Sequence, residues 1–314
     1  MIPFLAKRLA SMVAVLFGVV TFTFILIRLT DGDPATIIAL DRYGSQLISP
    51  EVIAEMAEAE GLRLPIHRQY ANWLGQVARG EFGRSLRTGV PVMEEICQRF
   101  PFTLKLALLS LGLSTLIALP CGMAAACFRG GWFDRATRSL AAVNASVPSV
   151  YLAFLMILIF SVRLKWLPSF GSGSLRHLIM PVGVLAVSQV GTTLRVVRAS
   201  VLDLLSSPHV RYAMLRGLSP RRILGAHVLR NALVPVITYL SLKFLMLIEG
   251  SILVETVFAW PGIGNLFQEA IMGRDFTMIQ ALVLFSGCLI TLTHFVTDLS
   301  HMLVHKRMQP AEEA

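Results

Sequence analysis

The sequence predicts an all-α polytopic membrane protein with six transmembrane helices. Three observations carry that expectation. Of the 314 residues, 55% are apolar and only 15% are charged, where a soluble domain carries about a quarter charged residues. The apolar residues gather in blocks long enough to cross a bilayer instead of spreading through one large core. The basic residues behind the net charge of +9 stand at the ends of those blocks, as the positive-inside rule expects of cytoplasmic segments.

Taken in order, Lys7-Arg8 precede the first apolar run, 9–29. It is longer than a signal-peptide core, and no A-x-A site follows it. Residues 1–29 therefore read as an uncleaved first transmembrane helix with its N-terminus in the cytoplasm. Residues 30–101 are the longest hydrophilic section and read as an extracytoplasmic cap between helices 1 and 2. Within it, Pro50 opens a short acidic helix with Glu51, Glu55, Glu58 and Glu60, which Gly61 ends. Tyr70, Trp73 and Leu74 follow at helical spacing. Residues 102–306 read as a five-helix core, with apolar blocks at 102–128, 140–162, 177–197, 233–258 and 277–304. Residues 307–314 form a tail.

Charge orients the spans. Residues 195–230 hold Arg195, Arg198, Arg211, Arg216, Arg221, Arg222 and Arg230 against one acid, Asp203, which puts this section and both termini in the cytoplasm. Trp166 and Trp260 suit turns at the outer interface.

Several function classes find no support. A nucleic-acid binder would cluster its basic residues on a soluble fold with aromatic platforms, and here they flank spans. Cys97, Cys121, Cys127 and Cys288 form no CxxC or Cys/His metal spacing, so they read as small buried hydrophobes. No GxxxxGK[ST] loop occurs, and Gly262-Ile263-Gly264 follows a span instead of a strand, so no nucleotide cradle is present. No Ser, His or Asp stands in a catalytic pattern. No cofactor is expected.

The loop 199–232 is the most distinctive stretch. Ser207 and Pro208 form a helix-start pair, Gly217 a stop, and Ser219-Pro220 a second start. The pattern predicts two short helices joined by a tight turn at Gly217-Leu218-Ser219, a knob that fits a groove in a soluble partner. By spacing alone, an ordinary loop whose arginines only fix topology is an equal reading.

Here the stretch HVRYAMLRGLS and the later AHVLRNALVPV resemble the coupling loop of ABC-importer permeases of the dipeptide/oligopeptide/nickel family. Ala213, Gly217, Asn231-Ala232-Leu233 and Pro235 carry the likeness; Tyr212 and Met214-Leu215 depart from the usual pattern. A second signature resembles the same family: Gly250-Ser251, Val254-Glu255-Thr256-Val257-Phe258, Trp260-Pro261-Gly262, Gly264, Glu269-Ala270-Ile271, Arg274-Asp275 and Gln280. So do the cap stretches Gly61-Leu62…Pro65, Gln69-Tyr70…Trp73-Leu74, Gly83-Arg84-Ser85 and Pro91-Val92.

The resemblance implies a type I ABC importer permease of the bacterial inner membrane that moves short peptides, or nickel and other metal chelates, by alternating access. It also implies the partners: a second homologous permease as a heterodimer, two cytoplasmic ATPase subunits that hydrolyse the ATP, and an extracytoplasmic solute-binding protein. Ala213, Arg216, Gly217, Leu218 and Ser219 are then the candidate ATPase-coupling residues. Leu218 is the expected apolar anchor. An ion-coupled secondary carrier and a non-transporting scaffold are the alternatives.

Lys243 and Glu249 are ionisable groups inside a span, where such residues face a cavity or a partner. They are candidate pathway-lining residues. Six positions apart, they lie on different helix faces and are not expected to pair. His294, Asp298, His301 and His305 share one helix face. Their place at the cytoplasmic end of the last span favours ordinary polar residues over a metal site.

Overall fold

The computed structural model describes residues 2–28, 35–36, 39, 49–59, 61, 63–219 and 222–308. Side-chain surroundings are described for the same residues except 2–9, 26–28, 56, 59, 226–227, 249 and 298–308. Almost all of it is helical, and the chain divides into two compact units: Met1–Pro101 with Asn265–Leu292, and Phe102–Gly264 with Thr293–Ala314.

Among the described residues, four helices are long and apolar enough to cross a membrane: Val92–Cys127, Leu175–Leu205, Ile223–Ile248 and Phe276–Thr297. Trp132–Ser146 and Ser149–Arg163, bent by 95° at the break between them, make a fifth if they form one span. A shorter apolar stretch, Ala10–Ile25, lies in the first helix, Ile2–Arg28.

In the first unit, aromatic residues explain the cap pattern. The helix Ile66–Ala78 places Tyr70 and Trp73 one turn apart. Their rings lie 5.1 and 5.6 Å from that of Phe24, and the Tyr70 hydroxyl is hydrogen-bonded to that of Thr21 at 2.6 Å. Elsewhere in this unit the Ser85 hydroxyl donates to Asp275 Oδ2 at 2.5 Å. The other Asp275 oxygen accepts the Met278 N–H at 3.0 Å, which caps the start of Phe276–Met308 in the way a short acidic side chain suits. The Gly83-Arg84-Ser85 stretch and the Arg274-Asp275 pair of the second signature are therefore two halves of one buried contact. Glu269 completes the unit's polar ties, meeting Arg87 at 3.3 Å and Arg99 at 3.2 Å.

The second unit is built around Leu175–Leu205, which has many of its residues buried. Small residues let its neighbours come close, as membrane helices require. A Cβ on Gly122 would lie 2.8 Å from Val197, and one on Gly191 3.1 Å from the Ala141 Cα. Arg195 donates to the Ala141 carbonyl at 2.8 Å. Arg198 grips Asp134 with two bonds of 2.6 and 2.9 Å.

Two span readings and one helix of the 199–232 loop need correction. The block 140–162 is not one straight helix: Pro148 forces Val147 into extended backbone, φ −97° and ψ 115°, as residues before proline prefer, and the helix breaks there. The block 233–258 ends as a long helix at Gly250, and a separate short helix, Ile252–Val257, follows. The second short helix expected after Ser219 is instead a π-helical opening, Ile223–Leu229, that runs directly into Arg230–Gly250.

Helix ends recur in one form. At Gly80, Gly217, Ala259 and Arg274 the backbone is left-handed, with φ of 77°, 76°, 47° and 50°. At each, the residue's own N–H and that of the residue after it fold back to carbonyls of the last turn, as in Ala259 N to Thr256 O at 3.2 Å and Trp260 N to Glu255 O at 2.8 Å. This is the Schellman ending, which favours glycine at the left-handed position. Alanine at 259 carries strain there that glycine would not. Ala259→Gly is expected to raise stability by about 1 kcal/mol, seen as a higher apparent Tm of the purified protein; a lower Tm would count against the assignment.

Candidate functional site

The elbow forms because its start and stop signals are local. Pro208 occupies the first turn of the helix Pro208–Leu215. Ser207 sits at the N-cap position, but its hydroxyl donates backwards to the Leu204 carbonyl at 2.5 Å, so it closes the preceding helix. The far end is set by Gly217: its N–H reaches Met214 O at 3.0 Å, and the Leu218 N–H reaches Ala213 O at 3.3 Å. That pairing needs the positive φ that glycine adopts without cost.

The elbow has its own apolar core. Val210, Ala213, Ile223, Val228 and Ala232 are buried together with Val201 and Val236. Leu218, half-buried, packs against this core. Of the candidate coupling residues, Ala213 is therefore buried, Leu218 is turned inward, and Arg216, Gly217 and Ser219 are exposed. The outward apolar side chains are Tyr212, Met214 and Leu215, at 61%, 51% and 81% exposure. The Arg216 guanidinium lies 5.4 Å from the centre of the Tyr212 ring. The sequence reading noted these three only as departures. The signal that finds them is the absence of any core-facing period in Tyr212, Met214 and Leu215 around buried Ala213.

The other signature proves to be a packing device. Glu255 is fully buried. Its Oε1 accepts from Thr103 Oγ1 at 2.7 Å and from Ser251 Oγ at 3.0 Å. Thr103 in turn accepts the Ile263 N–H at 2.8 Å, and Trp260 Nε1 donates to the Phe102 carbonyl at 3.2 Å. Gly262 and Gly264 are glycine for steric reasons. A Cβ on Gly262 would sit 2.3 Å from the Glu255 carboxyl group, and one on Gly264 2.7 Å from the Ile252 Cα. The turn Trp260–Gly264 is thus wrapped around one buried carboxyl group.

Lys243 is half-buried, its ammonium 5.6 Å from the centre of the Tyr239 ring. Glu249 lies in the same helix, with its side chain outside the described residues, as are those of Asp298, His301 and His305. His294 is exposed. Among the described residues no group of three or more His, Cys, Asp or Glu side chains is placed to hold a metal ion.

Comparison with known proteins places the chain. Residues 118–310 match the family described as binding-protein-dependent transport system inner membrane component, and residues 1–107 match the N-terminal region of the same kind of protein. The chain belongs to this family. The permease is 37% identical to the probable peptide ABC transporter permease protein y4tP of Sinorhizobium fredii, over 98% of its own length and 99% of that protein. It is 34% identical to the di/tripeptide transport system permease protein DppB of Pseudomonas aeruginosa, with the same coverage. It is 36% identical to the glutathione transport system permease protein GsiC of Salmonella choleraesuis, over 97% of its own length and 98% of the relative. Among solved structures, an inward-facing form of the MetNI methionine ABC transporter superposes with a TM-score of 0.59 at 21% identity, over 68% of this chain and 98% of that one. The fold is that of a type I ABC importer permease, and the protein is a multi-pass inner-membrane protein.

Substitutions at two positions test the buried carboxyl contact. Gly262→Ala is expected to abolish accumulation of folded permease, because the clash is with a fixed buried group. Thr103→Val leaves the Ile263 N–H without its acceptor and should cost about 1–3 kcal/mol, while Thr103→Ser should be mild. Apparent Tm and yield of the purified protein read both; wild-type behaviour of Gly262→Ala would overturn the geometry.

Proposed function

We propose that this permease carries short peptides inward through an ATP-driven complex, by alternating access, as one of two related membrane subunits. Two cytoplasmic ATPases and an extracytoplasmic binding protein complete the complex. The observation that carries the peptide reading is the near full-length match to relatives named for peptide, di/tripeptide and glutathione transport. None of these names supports nickel, and peptide is the cargo adopted here.

In this reading Ile2–Arg28 and the bent pair Trp132–Ser146 with Ser149–Arg163 join the four long helices to give six spans, with both termini in the cytoplasm. The section 30–101 is the extracytoplasmic cap, and 199–232 is the cytoplasmic coupling loop. Lys243 and Glu249 line the pathway.

The elbow is the ATPase contact. Arg216, Gly217 and Ser219 present the turn, while Ala213 and Leu218 hold its shape from within. Tyr212, Met214 and Leu215 supply the exposed apolar surface that a groove in the ATPase would cover. An isolated apolar cluster of this kind on a rigid turn suits an interface anchor. The motion of a closing ATPase pair would reach the spans through Leu175–Leu205 and Ile223–Ile248, the two helices the elbow joins.

The test is uptake of labelled di- and tripeptides by the reconstituted complex. ATP-dependent uptake is expected; uptake driven by an ion gradient with inactive ATPases would favour a secondary carrier instead. Leu215→Ala should weaken ATPase association about tenfold. Gly217→Val should uncouple ATP hydrolysis from uptake while membrane insertion persists. Normal uptake by both variants would remove the elbow from the coupling path.

A further inference from the structure

The break at Val147-Pro148 borders a cavity of about 280 Å³, lined among others by Asn144, Ser149, Ser188, Gln189, Thr192 and Lys243. These come from four separate helical segments of the second unit. The polar residues stand out, because the surrounding helices are otherwise apolar. Discontinuous helices inside a membrane domain are where transporters place substrate groups, since the freed helix ends offer unpaired backbone donors and acceptors.

The chemistry of the walls is specific. Lys243 supplies a positive charge within a span, a costly placement that marks a functional position. The helix Ser149–Met156 begins at the cavity edge, and the first N–H groups of a helix favour a negative group. Donors are thus concentrated on one side. Acceptors are present as well, although the unpartnered Asn144 Oδ1 is buried against Gly191 and closed to the cavity. The hydroxyls of Ser188 and Thr192 donate to the carbonyls of Leu185 and Gln189 at 2.8 and 3.0 Å, which leaves their lone pairs to accept. A cation, a helix start and these hydroxyl lone pairs together match a carboxylate with an N–H close by. That is the last residue of a peptide. The volume lies at the bottom of the roughly 300–1,000 Å³ range of small-molecule sites, so it fits one end of a peptide and not a long chain.

We propose that this cavity receives the carboxyl-terminal residue of a short peptide during its passage. The carboxylate lies against Lys243 and the helix start at Ser149, and an amide N–H of the peptide lies against the hydroxyls of Ser188 and Thr192. Lys243 then selects for a free carboxyl end inside the permease, in addition to any selection by the binding protein. The inference rests on the peptide reading above.

The test compares uptake of a tripeptide with its carboxyl-terminal amide by the full complex in proteoliposomes, each loaded to saturation on the same binding protein. Because the binding protein is common to all variants, a change in the acid-to-amide ratio isolates the permease. The wild type should favour the free acid by about tenfold, the worth of one charge-assisted hydrogen bond. Lys243→Gln should bring the ratio close to one by slowing the acid, and Lys243→Arg should restore it. Thr192→Asp, which places a competing carboxylate in the cavity, should lower the ratio with Lys243 still present. An unchanged ratio in Lys243→Gln and Thr192→Asp would overturn the proposal. So would an equal loss of both substrates, which would mean that Lys243 pairs with an acid of the partner permease. Failure of the wild type to import either peptide would instead overturn the peptide reading itself.

Discussion

Close backbone approach to the helix Leu175–Leu205 is the constraint on which the second unit rests. Lipid is as apolar as a leucine side chain, so burial alone does little to hold membrane helices together. What remains is tight packing and polar contact, and this helix uses both. Gly122 and Gly191 allow neighbours within distances that any Cβ would obstruct, and Arg195 and Arg198 tie it to Trp132–Ser146. The same helix lines the polar cavity through Ser188, Gln189 and Thr192 and leads into the elbow at Ser207-Pro208. One rigid element therefore touches both the place where cargo would rest and the place where force would enter.

The two long family signatures have different physical meanings. The one at 208–235 specifies a surface: a short helix, a glycine-dependent reversal and an exposed apolar group. The other specifies an interior. Glu255, Thr103, Ser251, Gly262 and Gly264 form a single contact in which a buried carboxyl group takes the place a side chain would otherwise fill. Such a group is tolerable only when its oxygens are satisfied, which accounts for the Thr, Ser and Gly that surround it in this chain. The Ser85–Asp275 bond is a smaller case, joining residues 190 positions apart in sequence.

Local signals were legible where the physics is local. Pro208 and Gly217 mark the elbow helix because proline suits a helix start and glycine a left-handed end. The same logic failed at Ala259 and Arg274, which take left-handed backbone without being glycine. It also names Leu218 as the apolar anchor of the turn, and the structure packs that side chain, half-buried, against the elbow's own core. Apolarity gives no direction, and the Schellman reversal points Leu218 back at Ala213, leaving Tyr212, Met214 and Leu215 outside. Pro148 was visible as a residue inside an apolar block, but hydropathy averages across it and hides the 95° bend.

The sequence by itself determined the environment, the helical class, the family likeness and the position of the Gly217 turn. Each depends on composition, block length or the conformational preference of a single residue. Only the tertiary structure decided which side of the elbow faces out, why Gly262 and Gly264 admit no side chain, and that Lys243 shares a cavity with Asn144 and Thr192. Those are relations between segments far apart in the chain, fixed by how helices touch, and no local preference encodes them.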